Sequence, residues 1–137
     1  MATRARIHIA RREEGVSFSN IPEKVMVSIY NHWDGYPEGL GVTLASYLDD
    51  FVITNGLGRD NTHVFNGLGC MAASIIEYLK DGPGNVYIED PERPHTWIDY
   101  DYYVWGDDHK DIWISIFDGS ECIFVGKPQA LLDKYTN

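Results

Sequence analysis

The sequence predicts an α+β fold with a mostly antiparallel sheet, in the element order ββααββββα and with two central helices packed on one face of the sheet. Segments that alternate between apolar and polar residues, as half-buried strands do, lie towards both ends of the chain. Between them lie two segments whose apolar residues recur at the spacing of a helix. A length of 137 residues suits one domain, which we place at residues 1–137.

The first two strands are predicted at residues 5–11 and 24–30. In the first of them, apolar residues occupy one face, and Arg6 and His8 occupy the other. The polar stretch between the two segments contains Gly and Asn, which are typical of a hairpin connection. We therefore expect the two strands to pair antiparallel.

Two helices are predicted after the second strand. The first spans residues 40–52, and the second starts near Asn66, a favourable N-cap residue. Gly82 and Pro83 end the second helix, because neither continues a helix easily. The turn-rich residues 55–67 are predicted to form a long loop between the helices.

The remainder of the chain is predicted to form four strands and a short closing helix. A turn at residues 118–120 joins the last two strands, and Pro128 suits the first turn of the helix. The strands are predicted at residues 86–89, 97–105, 111–117 and 121–125, and the helix at residues 128–135.

The two faces of the predicted strand 97–105 differ in character. We expect the helices to cover the face that carries Tyr102 and Val104, because burying an aliphatic side chain contributes about 1.5–3 kcal/mol. The opposite, aromatic and acidic face consists of Trp97, Asp99, Asp101, Tyr103 and Trp105. Such a face is packed by loops, is packed by a second subunit, or binds a partner.

The chain is acidic, with 21 Asp and Glu against 11 Lys and Arg and a net charge of −10. Direct binding to nucleic acid or to an anionic membrane surface is therefore not expected. Ten acids and two bases fall within residues 89–121. This region forms a solvated acidic edge, or it imitates the phosphates of nucleic acid towards a basic partner.

Cysteine content and hydropathy indicate the compartment. Cys70 and Cys122 are too few for a disulfide framework, and we expect both to be buried as small apolar residues. No apolar run approaches the roughly 18 residues that cross a bilayer, and no secretory signal region follows the N-terminus. These features favour a soluble cytoplasmic protein.

The densest group of reactive side chains lies at residues 32–41, between the end of a strand and the start of a helix. His32, Asp34 and Glu38 supply one base and two carboxylates, which makes them the candidate catalytic residues. Backbone N–H groups at a helix start add hydrogen-bond donors for a ligand. The structural alternative is a pair of successive turns with the aromatic side chains packed beneath them.

Other patterns favour neither a cofactor nor a metal. Residues 67–72 fit a dinucleotide-binding fingerprint, but polar residues stand where a buried strand would have to precede it. The acidic stretch 107–111 could hold a hard cation, and it equally fits a solvated turn. No pair of histidines has the spacing of a zinc site.

Three blocks of the sequence resemble a widespread family of small uncharacterised microbial and phage proteins. The first is Thr3-Arg4 with Ile7, and the second is the aromatic-Asp-Gly-Tyr-Pro motif within residues 30–41. The third is Phe-Asn-Gly-Leu-Gly-Cys-Met-Ala-Ala at residues 65–73. The resemblance implies a shared fold and a microbial or phage origin, and it implies no activity.

The sequence leaves three classes of function open. The first is a non-enzymatic binding protein that captures a small molecule or a host protein, which the absence of a complete catalytic constellation favours. The second is a hydrolase or nucleotide-processing enzyme centred on His32, Asp34 and Glu38, and the third is a structural homo-oligomer. The candidate ligand-binding residues are His32, Trp33, Asp34, Tyr36, Glu38, Asp99, Asp101, Tyr103 and Trp105.

Overall fold

The computed structural model describes residues 2–13 and 15–136, and its α+β class confirms the prediction. Within these residues, eight strands and three α-helices follow one another in an order close to the one predicted. In chain order these are β1 (Ala5–Arg11), β2 (Lys24–Asn31), a π-helical turn (Pro37–Gly41), α1 (Val42–Leu48), β3 (Val52–Thr54), β4 (Val64–Asn66), α2 (Gly67–Leu79), β5 (Val86–Ile88), β6 (Tyr100–Gly106), β7 (Ile112–Asp118), β8 (Glu121–Gly126) and α3 (Pro128–Tyr135).

Six of the strands form one sheet in the order β5-β2-β1-β6-β7-β8. Strands β1 and β2 pair antiparallel, with Ile7 opposite Ile29, which confirms the predicted hairpin. Among the described strands of this sheet, only the central pair β1 and β6 is parallel, and there Ala5 lies opposite Tyr100. Because β1 pairs with both β2 and β6, the ends of three strands meet where residue 5 lies beside Asn31 and Tyr100.

The main hydrophobic core lies between the helices and one face of the six-stranded sheet. Tyr102 and Val104 of β6 are fully buried in it, together with Leu44 of α1 and Ile75 of α2. This arrangement confirms that the helices cover the Ile/Val face of the sheet. The apolar area that these side chains remove from water is the main stabilising contribution to the fold.

The predicted helix at residues 40–52 is wrong at both ends. Helical structure begins earlier, with the π-helical turn at Pro37, whose fixed φ suits a first helical turn. It ends at Leu48, and Asp50 has a φ of 69°, in the left-handed region. Asp favours turns over helix interiors because its side chain competes for backbone hydrogen bonds.

The predicted loop at residues 55–67 is too long. Strands β3 and β4 flank a shorter connection and form a separate two-stranded parallel sheet, with Ile53 opposite Phe65. Asn66 does precede α2, but its side chain does not cap the helix. Its Oδ1 accepts a hydrogen bond from the Gly56 N–H, at 2.7 Å, and so fastens the connection.

Two further predictions need correction. The strand predicted from residue 97 begins at Tyr100, because Trp97 adopts a φ of 62° and breaks the alternation. Trp97 is consequently 84% exposed and does not lie on the aromatic face. Cys70 is exposed on α2 rather than buried, and Cys122 is intermediate in burial.

No helix among the described residues has the length and apolar character that crossing a membrane requires.

Candidate functional site

The backbone of the 32–41 loop is held against the start of β1 and against β6. The Gly35 N–H donates to the Thr3 carbonyl at 2.9 Å, and the Tyr102 hydroxyl donates to the Gly35 carbonyl at 2.7 Å. A Cβ atom on Gly35 would lie 2.7 Å from the Cβ of Ala5. The first glycine of the motif therefore serves close packing of the loop on the sheet.

The loop does not bring His32, Asp34 and Glu38 together. His32 faces one cavity, whereas Asp34 and Tyr36 line another, on the side of α1. Asp34, Tyr36 and Glu38 are exposed, and among the described residues no hydrogen bond joins the three predicted catalytic side chains. The predicted catalytic group is thus dispersed over the surface of the loop.

His32 instead belongs to a cavity at the β5 edge of the sheet, which we call the histidine cavity. It has a volume of about 390 Å³ and combines two histidines, one arginine and three aromatic side chains. Its lining residues are Arg4, Tyr30, His32, Trp33, Gly84, Asn85, Tyr87 and His95.

A buried carboxylate orients His95 in this cavity. The Glu89 side chain is only 6% exposed, and its Oε1 accepts a 2.6 Å hydrogen bond from His95 Nδ1. Its Oε2 accepts a 2.5 Å hydrogen bond from Arg6 Nε. Burial acts to raise the pKa of Glu89, but the hydrogen bonds from Arg6 and His95 outweigh burial and hold this pKa below its ordinary value. Nε2 is therefore the ring nitrogen of His95 that remains available to a ligand.

Tyr30 connects the two histidines. The ring of His95 stacks on the ring of Tyr30 with 3.6 Å between centroids and 1° between planes. The Tyr30 hydroxyl is hydrogen-bonded to His32 Nδ1 at 2.7 Å. Burial of Tyr30 is the main cause that raises the pKa of its hydroxyl, so the phenol stays neutral. Both imidazoles are consequently held through Nδ1 and keep Nε2 free of these bonds.

Asn85 fixes the opposite wall of the histidine cavity. The His32 N–H donates to the Asn85 carbonyl at 2.9 Å, and the Trp33 N–H donates to Asn85 Oδ1 at 2.8 Å. These bonds present the Trp33 indole at the surface, where it is 56% exposed and lies edge-on to the ring of His32 at 5.1 Å. Tyr87 is a second exposed aromatic residue on the rim.

None of the described residues that line the histidine cavity is a carboxylate, although the chain carries a net charge of −10. Arg4 brings a permanent positive charge, and its Nη1 donates to the Thr96 carbonyl at 3.3 Å. The Glu89 carboxylate, which orients His95, has its charge matched by Arg6. The local chemistry of the cavity is therefore that of an anion site with flat apolar surfaces at its rim.

Part of the predicted aromatic and acidic face is buried under other residues of the chain. Trp105 is 0% exposed and lies beneath Arg12 at 4.1 Å and Phe18 at 5.7 Å. Tyr103 is also buried, which raises the pKa of its hydroxyl to about 12. Asp99 Oδ2 accepts a hydrogen bond from the backbone N–H of Arg4 at 2.9 Å. Of the three alternatives for this face (packing by loops, packing by a second subunit, or binding of a partner), packing by loops is therefore the one that applies to Trp105.

The described residues of the 32–41 loop line different cavities from the one that Trp105 lines. Asn31 and Tyr100 both lie beside residue 5, at one end of the sheet, whereas Trp105 lies five residues further along β6. A separate cavity at that far end is lined by Trp105, Trp113 and Phe18.

The acidic turn at residues 107–111 is built around one carboxylate. Asp107 accepts hydrogen bonds from the N–H groups of His109 and Asp111 and from Trp113 Nε1, at 2.7–2.9 Å. Burial acts to raise the pKa of Asp107, but these hydrogen bonds outweigh burial and lower this pKa.

Within residues 2–13 and 15–136, no group of three His, Cys, Asp or Glu side chains is arranged to hold a metal ion.

The sequence predicted only part of the histidine cavity. His32 and Trp33 stand in the predicted motif, and Arg4 and Tyr30 flank it at the strand ends. Glu89 and His95 carried no signal, because they lie six residues apart in an irregular segment and meet Tyr30 and Arg6 only through tertiary packing. Their spacing corresponds to no helical or strand periodicity.

Comparison of the chain with protein-family models, with curated proteins and with solved structures gives no match. The resemblance to the family of small microbial and phage proteins therefore stays a prediction that depends on the three sequence blocks.

Proposed function

We propose that the chain is a binding protein for a small anionic ligand that carries a flat ring, of which a mononucleotide is the representative. The observation that carries this proposal is a cavity on an acidic chain that combines Arg4 with two oriented imidazoles and has no carboxylate among its described lining residues. Arg4 and the free Nε2 atoms suit a phosphate or carboxylate group. The Trp33 indole, which is exposed beside them, suits a base or another ring.

Pre-organisation supports binding at this place. Nδ1 of each histidine is already hydrogen-bonded, to Tyr30 or to Glu89, so little conformational entropy is lost when a ligand meets Nε2. The chain's overall negative charge disfavours a long polyanion, whereas a mononucleotide needs to approach only this one cavity. The proposed ligand is therefore a small molecule rather than nucleic acid.

Isothermal titration calorimetry with AMP and GMP tests the proposal, with adenosine and guanosine as comparison ligands. We expect saturable binding of the nucleotides and weaker binding of the nucleosides, because the nucleosides lack the anion. Trp33→Ala is expected to weaken nucleotide binding about tenfold, since stacking of a base on an aromatic ring contributes about 1–3 kcal/mol. Arg4→Gln is expected to remove most of the preference for nucleotide over nucleoside.

Two matched variants serve as controls. Trp97→Ala removes an equally large and more exposed tryptophan outside the cavity, and Arg59→Gln removes an exposed arginine in the β3–β4 connection. Both are expected to bind like the unmodified chain. Equal losses in control and cavity variants, equal affinity for nucleosides and nucleotides, or the absence of binding would each contradict the proposal.

A second candidate function is hydrolysis of the same class of ligand. The observation in its favour is the Glu89–His95 pair, in which a carboxylate holds Nδ1 of an imidazole that lines the cavity. Chromatographic analysis of nucleotides after incubation tests it. Turnover that is lost in His95→Asn while nucleotide binding persists would favour hydrolysis, and unchanged nucleotides would favour binding alone.

A further inference from the structure

A serine, a histidine and an aspartate are hydrogen-bonded in line across three neighbouring strands, on the sheet face opposite the helices. His8 of β1 lies between Ser28 of β2 and Asp101 of β6. Ser28 Oγ is 2.7 Å from His8 Nδ1, and His8 Nε2 is 2.8 Å from Asp101 Oδ1. The carboxylate accepts the Nε2 hydrogen, which leaves the lone pair of Nδ1 to accept the Ser28 hydroxyl hydrogen.

The sheet holds this row in place while leaving it accessible. The His8 ring stacks on the buried ring of Tyr103 at 4.5 Å, so its orientation is fixed by packing as well as by hydrogen bonds. The side chains of His8 and Asp101 are 12% and 26% exposed, and Ser28 is intermediate in burial. The row lies between the end of the sheet at His95 and the end at Trp105.

We propose that Ser28 is an activated nucleophile that accepts an acyl group from activated carboxylic esters. In this step Ser28 Oγ forms a bond to the ester carbonyl carbon, and its proton moves to His8 Nδ1. The bond from that carbon to the leaving oxygen then breaks, and the leaving alcohol takes the proton from His8. Water hydrolyses the acyl-serine by the same path, which returns Ser28 and releases the carboxylic acid. Asp101 acts as a positioning residue that holds the His8 tautomer.

The edge of the sheet supplies a donor for the negative oxygen that develops during the attack. The Ser28 carbonyl accepts the Glu89 N–H at 2.8 Å, at the edge of β2. In a strand the N–H and C=O of one residue point to the same side, so the Ser28 N–H also points to this edge. The regular pairing of β5 covers residues 29–31 of β2, so Ser28 lies just beyond the paired stretch, and its N–H is the donor for that oxygen.

The surroundings of Ser28 indicate the substrate class. Met26 lies two residues from Ser28 in the same strand and is 46% exposed, which gives an apolar surface near the nucleophile. Esters with a short apolar acyl group match that surface. The acyl group is uncharged, so its contact with the surface removes apolar area from water and buries no unpaired charge. This activity is independent of ligand capture in the histidine cavity.

Reaction with p-nitrophenyl acetate tests the proposal. We expect a burst of p-nitrophenolate approaching one equivalent, and an acetyl group on Ser28 in the tryptic peptide of residues 25–59. Ser28→Ala should abolish the burst, and His8→Gln should slow acylation about 10²-fold, the contribution typical of a general base. Ser74→Ala is the matched control, since this half-buried serine donates to the Cys70 carbonyl and has no histidine partner.

Asp101 is tested separately because its role is to position His8. Asp101→Asn should slow acylation without lowering the thermal unfolding midpoint in proportion, and Asp101→Glu should restore part of the rate. Circular dichroism identifies any variant that does not fold, and such a variant is excluded from the comparison. Acetylation of the exposed Cys70 thiol instead of Ser28, or an unchanged rate in His8→Gln, would overturn the proposal, as would the absence of any acetylated serine.

Discussion

Glu89 is the residue on which the histidine cavity depends most. It carries a charge into a nearly water-free position and stays ionised there because Arg6 and His95 both donate to it. An unpaired buried charge is costly, so removing the carboxylate leaves Arg6 without a partner as well as releasing His95. One side chain therefore connects the stability of the β5 edge to the geometry of the cavity.

Glu89→Gln is expected to lower the free energy of unfolding by about 3 kcal/mol at neutral pH, the lower end of the cost of breaking a buried ion pair. Because the folded-state pKa lies below the ordinary value of 4.5, the contribution of the carboxylate is complete above pH 4.5. It is lost as the pH falls through the folded-state pKa. Urea denaturation at several pH values measures this difference.

The exposed Glu38 provides the control for this pH series. Glu38→Gln is expected to leave the unfolding free energy almost unchanged at every pH. A difference between Glu89→Gln and the unmodified chain that stayed constant from neutral to acidic pH would contradict the role given to the Glu89 charge.

The 32–41 loop is the element that positions His32 and Trp33. Its turns depend on close contact with the sheet, since a Cβ on Gly35 would also lie 2.8 Å from the Thr3 carbonyl oxygen. The structural interpretation of the motif therefore accounts for its glycine, whereas the proposed ligand surface uses the histidine and tryptophan at its start. The two interpretations concern different residues of the same loop.

Gly35→Ala is expected to destabilise the chain by about 1–3 kcal/mol, the usual cost of forcing extra atoms into a packed site. It should also weaken nucleotide binding, because His32 and Trp33 follow the backbone of the loop. Gly58→Ala is the matched control, since a Cβ there meets no atom within 4 Å. Thermal unfolding and calorimetry of both variants test this, and equal stability of the two would contradict it.

The elements differ in how far the sequence alone predicted them. Strand β1 and helix α3 have the predicted bounds, because strict alternation and Pro128 are local signals. The first helix ended early at Asp49 and Asp50, whose turn-forming tendency outweighed the apolar spacing. The cavity partners Glu89 and His95 could not be predicted, because tertiary contacts alone bring them to Tyr30.

On the scale of the whole molecule, the charged residues are unevenly distributed. The net charge of −10 coexists with a cavity that no carboxylate lines within the part of the chain that the structure describes. The acidic residues of 89–121 are used in several different ways: Glu89 and Asp101 hold histidines, and Asp107 builds a turn. These three residues therefore do not form a continuous row of free carboxylates that could imitate a nucleic acid.

This charge distribution predicts that double-stranded DNA binds negligibly at physiological salt, even though we expect mononucleotides to bind. The surrounding acids repel a polyanion, and most of the affinity of DNA-binding proteins comes from basic contacts to phosphates. Fluorescence anisotropy with a labelled duplex measures this. Salt-sensitive duplex binding as tight as nucleotide binding would contradict the prediction.

The most direct measurement of the central claim is an NMR titration of the four tryptophan indole N–H signals with GMP. The four indoles occupy different places: Trp33 at the histidine cavity, Trp97 at an exposed bend, and Trp105 and Trp113 at the far end of the sheet. We predict that the Trp33 signal shifts in a saturable way while the other three stay in place. A stationary Trp33 signal, or shifts confined to Trp105 and Trp113, would contradict ligand capture in the histidine cavity.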